Sequence, residues 1–371
     1  MRKFKKAFRR LVDPRADNAR HDLLEVLFIS LAAVICGAGS CSEMEEFGRS
    51  KEGLLRLLLR LEHGIPSHDT FSRVFRLLKP QAFELAFRRF MAAFAKANGL
   101  KLTGVVAVDG KALRGAYERG GKATPLQLVN VFAVEARMAL AQQKAAGRNE
   151  TAGALEVLDL LCLEGCIVTA DALHCHRAFA AAVRERGGDY VLAIKANRGR
   201  LFTAVTQQFA RSGKRSVAEQ TDRSTHDRRE ARRATIMRNT SLAALYGFPG
   251  VAAVGRITSR RRLRSQHADA PVVRHYLLSK YISPKRLLHI ARSHWGIENR
   301  LHWVLDIHFA EDANRARKDN APENLAILRR LALNILRAHP DRKSIRLKIK
   351  RAGWDDAFRL HLLELLSEES A

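Results

Sequence analysis

Two aspartates, Asp109 and Asp171, share one local setting. Each directly follows a short apolar run, Val105-Val-Ala-Val108 in one case and Cys166-Ile-Val-Thr-Ala170 in the other. Such runs predict strands, and the strand ends of open α/β sheets are where side chains meet ligands. A pair of carboxylates brought to one point would take a hard, oxygen-seeking cation such as Mg²⁺, which binds through one or two carboxylates, waters and phosphate. A third acid would complete a two-metal phosphoryl-transfer site, in which cations activate the attacking oxygen and stabilise the leaving one. Glu298 is the candidate, because His294, Glu298 and His302 lie at i, i+4 and i+8 on one helical face. An amphipathic helix with a solvated polar stripe is the plain alternative. Trp295, Leu301 and Trp303 speak for a packed, fixed helix instead, while Asp306, Glu311 and Asp312 stay open as competing third acids.

Strands and helices must hold these groups. From Gly104 the pattern gives strands at 105–108, 126–132 and 138–141, a helix at 151–162, a strand at 166–170, a helix at 175–186 and a strand at 190–194. That βββαβαβ order is the ribonuclease H-like arrangement of a mixed sheet covered by helices, although order alone suits other α/β folds. The first hundred residues read as all-helical, with apolar periodicity over 23–36, 43–61 and 80–97, punctuated by Pro14, Gly37, Gly39, Gly64 and Gly99. Within them Ser67 is a candidate N-cap for a helix with Phe71, Val74, Phe75 and Leu78 on its apolar face. Arg73 and Arg76 would then point outward, as in a DNA-reading helix-turn-helix, though many helical bundles look the same. Residues 211–282 read as an inserted basic β-rich unit with Arg patches at 228–229, 232–233 and 260–264; helices resume after Pro284, and Lys343–Arg351 is expected to be an exposed basic stretch.

Charge narrows the partner. The 371 residues carry 65 Lys+Arg against 38 Asp+Glu, a formal charge of +27. The excess is +7 over residues 1–100, +1 over 101–194, +13 over 195–275 and +6 over 276–371. A near-neutral, strand-rich segment flanked by basic ones fits an acidic site within a polyanion-binding surface. With 47% apolar residues and no low-complexity segment, collagen-like, mucin-like and disordered classes drop out. Five cysteines, Cys36, Cys41, Cys162, Cys166 and Cys175, are an odd and sparse set that suits a reducing cytoplasm rather than a disulfide framework. The apolar run from Val26 to Gly39 is too short to span a membrane and reads as a buried helix. A zinc reading of Cys162, Cys166 and His174-Cys175-His176 matches no standard finger, and Gly115 and Gly120-Gly121 form no Walker loop.

At these residues the chain resembles a cut-and-paste insertion-sequence transposase of the DDE class, in the H-repeat-associated group. The motifs are His68-Asp-Thr-Phe-Ser-Arg-Val-Phe75, Val108-Asp-Gly-Lys-Ala-Leu-Arg-Gly115, Ile167-Val-Thr-Ala-Asp-Ala172, Gly187 to Asn197, and His294-Trp-Gly-Ile-Glu-Asn299 followed by Leu301 to Asp306. The resemblance implies Asp109, Asp171 and Glu298 as a metal-binding triad on a ribonuclease H-like fold, a catalytic domain over 101–371 with the insertion at about 211–282, and a helical DNA-associated domain over 1–100. It implies two Mg²⁺ ions per site, replaceable by Mn²⁺, cutting at transposon ends and joining of the 3′-hydroxyl to target DNA by a homodimer on double-stranded DNA, in the cytoplasm and on the nucleoid. Lys111, Arg114, Lys195, Asn197, Arg292, His294 and Arg300 are candidates for holding phosphates near the metals. The wider superfamily's Tyr-x2-Arg-x3-Glu-x6-Lys signature is altered to Ala291, His294, Glu298 and Leu305, so contacts made by the missing Tyr and Lys do not carry over. Two other readings share these features: a metal-dependent nuclease without strand transfer, and a domesticated, non-catalytic DNA-binding protein.

Overall fold

The computed structural model describes residues 2–100, 103–117, 124–211, 215–223, 228–263 and 270–365. Arg264 and the Gly120-Gly121 pair lie outside the described residues, as do the side chains of Arg228, Arg229, Arg261 and Arg262.

The chain opens with helices α1 (Arg2–Phe8), α2 (Leu23–Ile35), α3 (Cys41–Ser50), α4 (Glu52–Leu55), α5 (His68–Leu77) and α6 (Pro80–Ala97). Helix α2 is the apolar run read as a buried helix. Asp22 caps it by accepting from the Glu25 amide at 3.0 Å, and its residues from Val26 to Ile35 are buried. No helix among the described residues is long and apolar enough to cross a membrane. The stretch 43–61 is not one helix, because the chain breaks at Lys51 and irregular backbone follows α4, with Leu61 at φ +49°. Phe4, Phe8, Phe28, Phe83 and Phe90 form one aromatic knot; burying each ring is worth roughly 1.5–3 kcal/mol.

The middle of the chain supplies β1 (Gly104–Tyr117), β2 (Pro125–Ala133), β3 (Met138–Lys144), α7 (Glu150–Leu158), β4 (Cys166–Ala170), α8 (Arg177–Glu185), β5 (Asp189–Ile194) and α9 (Gly199–Ala210). Then come β6 (Ser216–Arg223), β7 (Arg228–Arg238), α10 (Ser241–Tyr246), β8 (Ala253–Leu263) and β9 (Val272–Leu278). The nine strands among the described residues lie in one sheet, in the order β3-β2-β1-β4-β5-β9-β8-β7-β6. Strands β1, β4 and β5 are parallel, and β2, β3 and β9 join by antiparallel pairing. The first five strands have the ribonuclease H-like order. The basic stretch after α9 continues the same sheet, strand on strand, outward from β9.

Helix α11 (Pro284–Ile297), a five-residue π-turn (Glu298–His302) and α12 (Trp303–Phe309) follow without a break, and α13 (Ala321–Ala338), α14 (Ile345–Trp354) and α15 (Asp356–Glu364) close the chain. Helices cover both faces. Val105, Ala107 and Phe132 share a core with α2, α6, α11 and α13, whereas Val106, Val108 and Val168 face α7, α8 and α9. Outer strand β3 is capped by side chains: Asn334 both accepts from the Ala139 amide and donates to its carbonyl, and Glu84 accepts from the Gln142 amide. The stretch Lys343–Arg351 is not uniformly exposed. Lys348 is buried, with its ammonium donating to the Leu336 and His339 carbonyls at the end of α13.

Candidate active site

Strand pairing sets the two aspartates side by side. Val108 pairs with Ala170 in the last rung between β1 and β4, so Asp109 and Asp171 are the next residue on each. Asp109 does not end its strand, as the apolar run alone suggested. Strand β1 continues to Tyr117 because β2 keeps pairing with it, Asp109 opposite Asn130 and Leu113 opposite Leu126. Asp171 does leave the sheet, and its Oδ1 accepts from the amides of Leu173 at 2.9 Å and His174 at 3.4 Å. Asn197, on the turn after β5, donates to the Ala172 carbonyl at 3.0 Å and so ties down the same loop.

Glu298 reaches this point from α11. Ser283 caps that helix through the Arg286 amide, and Pro284 fills its first turn. The π-turn then widens the helix at Glu298–His302, with the Trp303 amide bonded to the Glu298 carbonyl; such turns re-aim side chains and recur at functional sites. Asp109 is pushed up to about 7, by burial first and then by the negative charges of Glu298 and Asp171. Glu298 is therefore the acid that converges on the pair, and its competitors do not. Asp306 and Asp312 lie 2.6 and 3.3 Å from the Lys111 ammonium, and Glu311 is fully buried against Arg330 at 2.8 Å.

Three imidazoles line the carboxylates, all kept neutral by burial. His302 is held down at about 3 and stands with Nδ1 3.7 Å from Asp109 Oδ2. His294 is held down at about 4, its charge opposed by burial more than Asp171 favours it, and His174 is lowered in the same way. Among the described residues the buried Nε2 of His302 and Nδ1 of His294 and His174 have no hydrogen-bond partner. Among the described residues no Lys or Arg forms an ion pair with Asp109, Asp171 or Glu298. Nor do any three His, Cys, Asp or Glu side chains there form a finished cage for an ion. Carboxylates left without a basic partner suit Mg²⁺, which is held by few protein carboxylates and completed by water and phosphate.

The basic candidates divide. Arg73, Arg114 and Lys195 are exposed, Arg114 leaning on Asp312 at 3.6 Å. Arg76 is engaged with Asp319 at 2.8 Å, and Arg292 with Asp222 at 2.5 Å. Lys111 is no phosphate-holder: its side chain is 6% exposed and surrounded by Asp306, Asp312 and Glu311. His294 is no substitute for arginine, since burial keeps it uncharged. Arg292 and Arg300 line a cavity of about 580 Å³ on the flank of α11, with Arg232, His289 and Trp295. The tryptophans expected to pack the helix do not: Trp295 is 52% and Trp303 54% exposed, and Leu301 alone is buried.

Sequence reasoning missed Glu150 and Arg330. Glu150 adds negative charge at Asp109, and it begins α7, the helix between β3 and β4. Because β3 runs parallel to β1, that helix must start at the end of the sheet where Asp109 and Asp171 sit; the topology was the available signal. Arg330 is fully buried, donating to Asn130 Oδ1 at 2.7 Å directly behind Asp109; nothing in a helical Leu-Arg-Arg-Leu run marks it.

Known proteins bear on this geometry. The profile of a family described as "Transposase DDE domain" matches residues 101–335, and one described as "DDE_Tnp_1-associated" matches residues 5–91. "Putative transposase YncI" of Escherichia coli O157:H7 is 32% identical over 95% of this chain and 91% of its own. "H repeat-associated putative transposase YhhI" of Escherichia coli (strain K12) is 28% identical over 91% of each. Among solved structures, a piggyBac transposase synaptic complex with hairpin DNA aligns with 98% of this chain and 77% of that one, at 11% identity and TM-score 0.47. Two aspartates just past the last rung between β1 and β4, a glutamate delivered by the helix after the sheet, and a matching profile over most of the chain lead to one statement: the protein belongs to the DDE transposase family, alongside the H repeat-associated transposases.

Proposed function

We propose that the protein cuts DNA at the ends of an insertion sequence and joins the freed 3′-hydroxyl to target DNA, with Asp109, Asp171 and Glu298 as its catalytic, cation-holding acids. One observation carries this reading: carboxylates from β1, β4 and α11 converge where parallel strands end, with neutral histidines and no basic ion-pair partner among the described residues. The residues fit divalent cations, because the acids gather negative charge at Asp109 and, among the described residues, no Lys or Arg pairs with them. Bound Mg²⁺ or Mn²⁺, two ions per site, would supply the positive charge that activates the attacking oxygen and stabilises the leaving one.

The chain's own part is positioning. The Leu173 and His174 amides hold Asp171, so little side-chain freedom is lost when it engages a ligand. Neutral His294 and His302 shield the acids without cancelling their charge. Exposed Arg73 and Lys195 can meet phosphates directly, whereas phosphates must compete with Asp312 for Arg114, with Asp319 for Arg76 and with Asp222 for Arg292. In this reading residues 1–100 are a DNA-associated helical region, residues 101–371 carry the chemistry with a basic insertion at about 211–282, and two copies act together on double-stranded DNA.

The test uses labelled DNA bearing the flanking inverted repeats, incubated with Mg²⁺ or with EDTA. Mg²⁺-dependent nicked and joined products are expected, and folded Asp109→Asn, Asp171→Asn and Glu298→Gln variants should make neither. Nicks without joining would replace this reading by a nuclease. Salt-sensitive binding without any product would replace it by a non-catalytic binder.

A further inference from the structure

We propose that Arg137, Arg300 and Arg337 form a binding site for a backbone phosphate of duplex DNA, on the flank of the turn that carries Glu298. The inference rests on the function proposed above and adds a place where the chain grips its substrate. Arg337, near the end of α13, ties two loops together. Its guanidinium donates to the Arg137 carbonyl at 2.7 Å and to the Arg300 carbonyl, and it lies over the Phe132 ring at 5.5 Å. Arg137 is the last residue of the turn between β2 and β3, and Arg300 is the middle residue of the π-turn. Arginines from three separate elements therefore meet at one place.

No acid offsets that charge. Among the described residues no carboxylate forms an ion pair with any of the three, and the charges felt at Arg337 are those of Arg137 and Arg300. Burial first, and then those two cations, pull Arg337 down to about 9, and Arg300 is lowered by burial and by Arg137. Arg330 and Arg359, which are also buried, each hold a carboxylate, Glu311 at 2.8 Å and Asp356. Like charges gathered without a counter-ion are relieved by an anion from solution, and guanidinium donors match phosphate oxygens in pairs. Arg337 spends two donors on carbonyls and so supplies charge and rigidity, while the side chains of Arg137 and Arg300 are exposed and supply the donors. Arg137 is also held at φ +56°, a conformation that costs any residue with a Cβ. Arg300 opens onto the cavity of about 580 Å³ that Arg232 and Arg292 line as well. Glu135, the carboxylate lining that cavity, already accepts from the Val105 amide at 2.8 Å and stands 3.8 Å from His289. Residues two apart on a helix face different ways, so Arg300 does not share the reacting phosphate with Glu298; the site holds one further along the same duplex.

The experiment titrates the full-length protein with a fluorescein-labelled duplex bearing the inverted repeat, in EDTA and over a series of salt concentrations, reading anisotropy. Arg137→Gln, Arg300→Gln and the double variant are compared with the parent, with circular dichroism as the check on folding; Arg337 is left intact because it also holds backbone. Each single variant should bind about threefold or more weakly, and the double variant should lower the slope of log affinity against log salt by about one, the mark of one lost phosphate contact. The loss should be equal on a duplex of unrelated sequence. Neutral methylphosphonates, placed one at a time along the end, should weaken the parent at one position by the same factor and cost the double variant nothing there. Arginines that only hold the fold would leave the salt slope and that position as in the parent, which overturns the proposal, as does a loss confined to the inverted repeat. If the double variant unfolds, the single variants with the methylphosphonate series decide. A parent that binds no duplex overturns both this site and the function proposed above. A parent that binds duplex and cuts it in Mg²⁺, beside a folded double variant with parent-like slope, removes the arginine site alone.

Discussion

Two acidic clusters adjoin the same strand and differ in what balances them. Around Asp109 burial and the negative charges of Glu298, Asp171 and Glu150 push its carboxyl up, and Glu150 is raised by burial and by Asp171, with His302, kept neutral by burial, beside Asp109. Two residues further along β1, Lys111 gathers Asp306, Asp312 and Glu311, and Arg330 takes the other side of Glu311. The residue types are the same, but the second cluster brings its own cations and the first does not. A buried acid with an internal partner is structural, because removing either member strands a charge in a poor solvent. Acids left together without a partner raise the folded state's energy, and they are relieved by a cation from solution.

The sharpest way to break this comparison is activity. Asp109→Asn should lower DNA cleavage on the order of 10³-fold or more, whereas Asp312→Asn, in the saturated cluster, should change it by less than about tenfold; initial rates on one end-bearing DNA decide. Stability should respond the other way round. Glu311→Gln or Arg330→Met, each breaking a fully buried pair, should cost about 3–5 kcal/mol in urea unfolding, and the double variant less than the sum.

Asp109→Asn should instead stabilise the cation-free protein, on the order of 1–2 kcal/mol at pH 8. The sign follows from its carboxyl, raised from 3.8 to about 7 in the folded chain. Stability from that group is present below about pH 4 and is lost as pH rises to about 7, so the variant's gain should vanish in acid. Thermal melts at pH 4 and pH 8 measure it, and added Mg²⁺ should raise the melting temperature of the parent alone. A destabilised Asp109→Asn at pH 8 would place Asp109 with the saturated cluster. The smallest effect belongs to an exposed pair. Asp319→Ala should change stability by less than about 1 kcal/mol while freeing Arg76, so DNA affinity at low salt should rise slightly.

Much of the site could be read before the fold. Asp109 and Asp171 stand out because an apolar run ending in aspartate is unusual chemistry for a strand, and Glu298 because it shares a helix face with two histidines. Other features could not be read this way. Asp109-Gly-Lys interrupts the alternation that marks a strand, so the extension of β1 to Tyr117 depends on β2 as its partner. Gly115 shows the same limit: a Cβ there would sit 2.6 Å from the Asp312 carbonyl, a contact made across about two hundred residues. Lys111 looked like a phosphate ligand and is an internal counter-ion.

By itself, then, the sequence determined the βββαβαβ order over residues 105–194, the basic surround, and two candidate acids after apolar runs with a helical third candidate, since these depend on local periodicity and on composition. Tertiary structure alone decided which acids are neutralised from within, that the basic stretch extends the central sheet, that Trp295 and Trp303 face outward, and that Glu150 comes up beneath Gly110. The physical reason is range. Periodicity is set by neighbours along the chain, whereas the charge state and partner of a buried group depend on whatever the fold brings within a few ångströms of it.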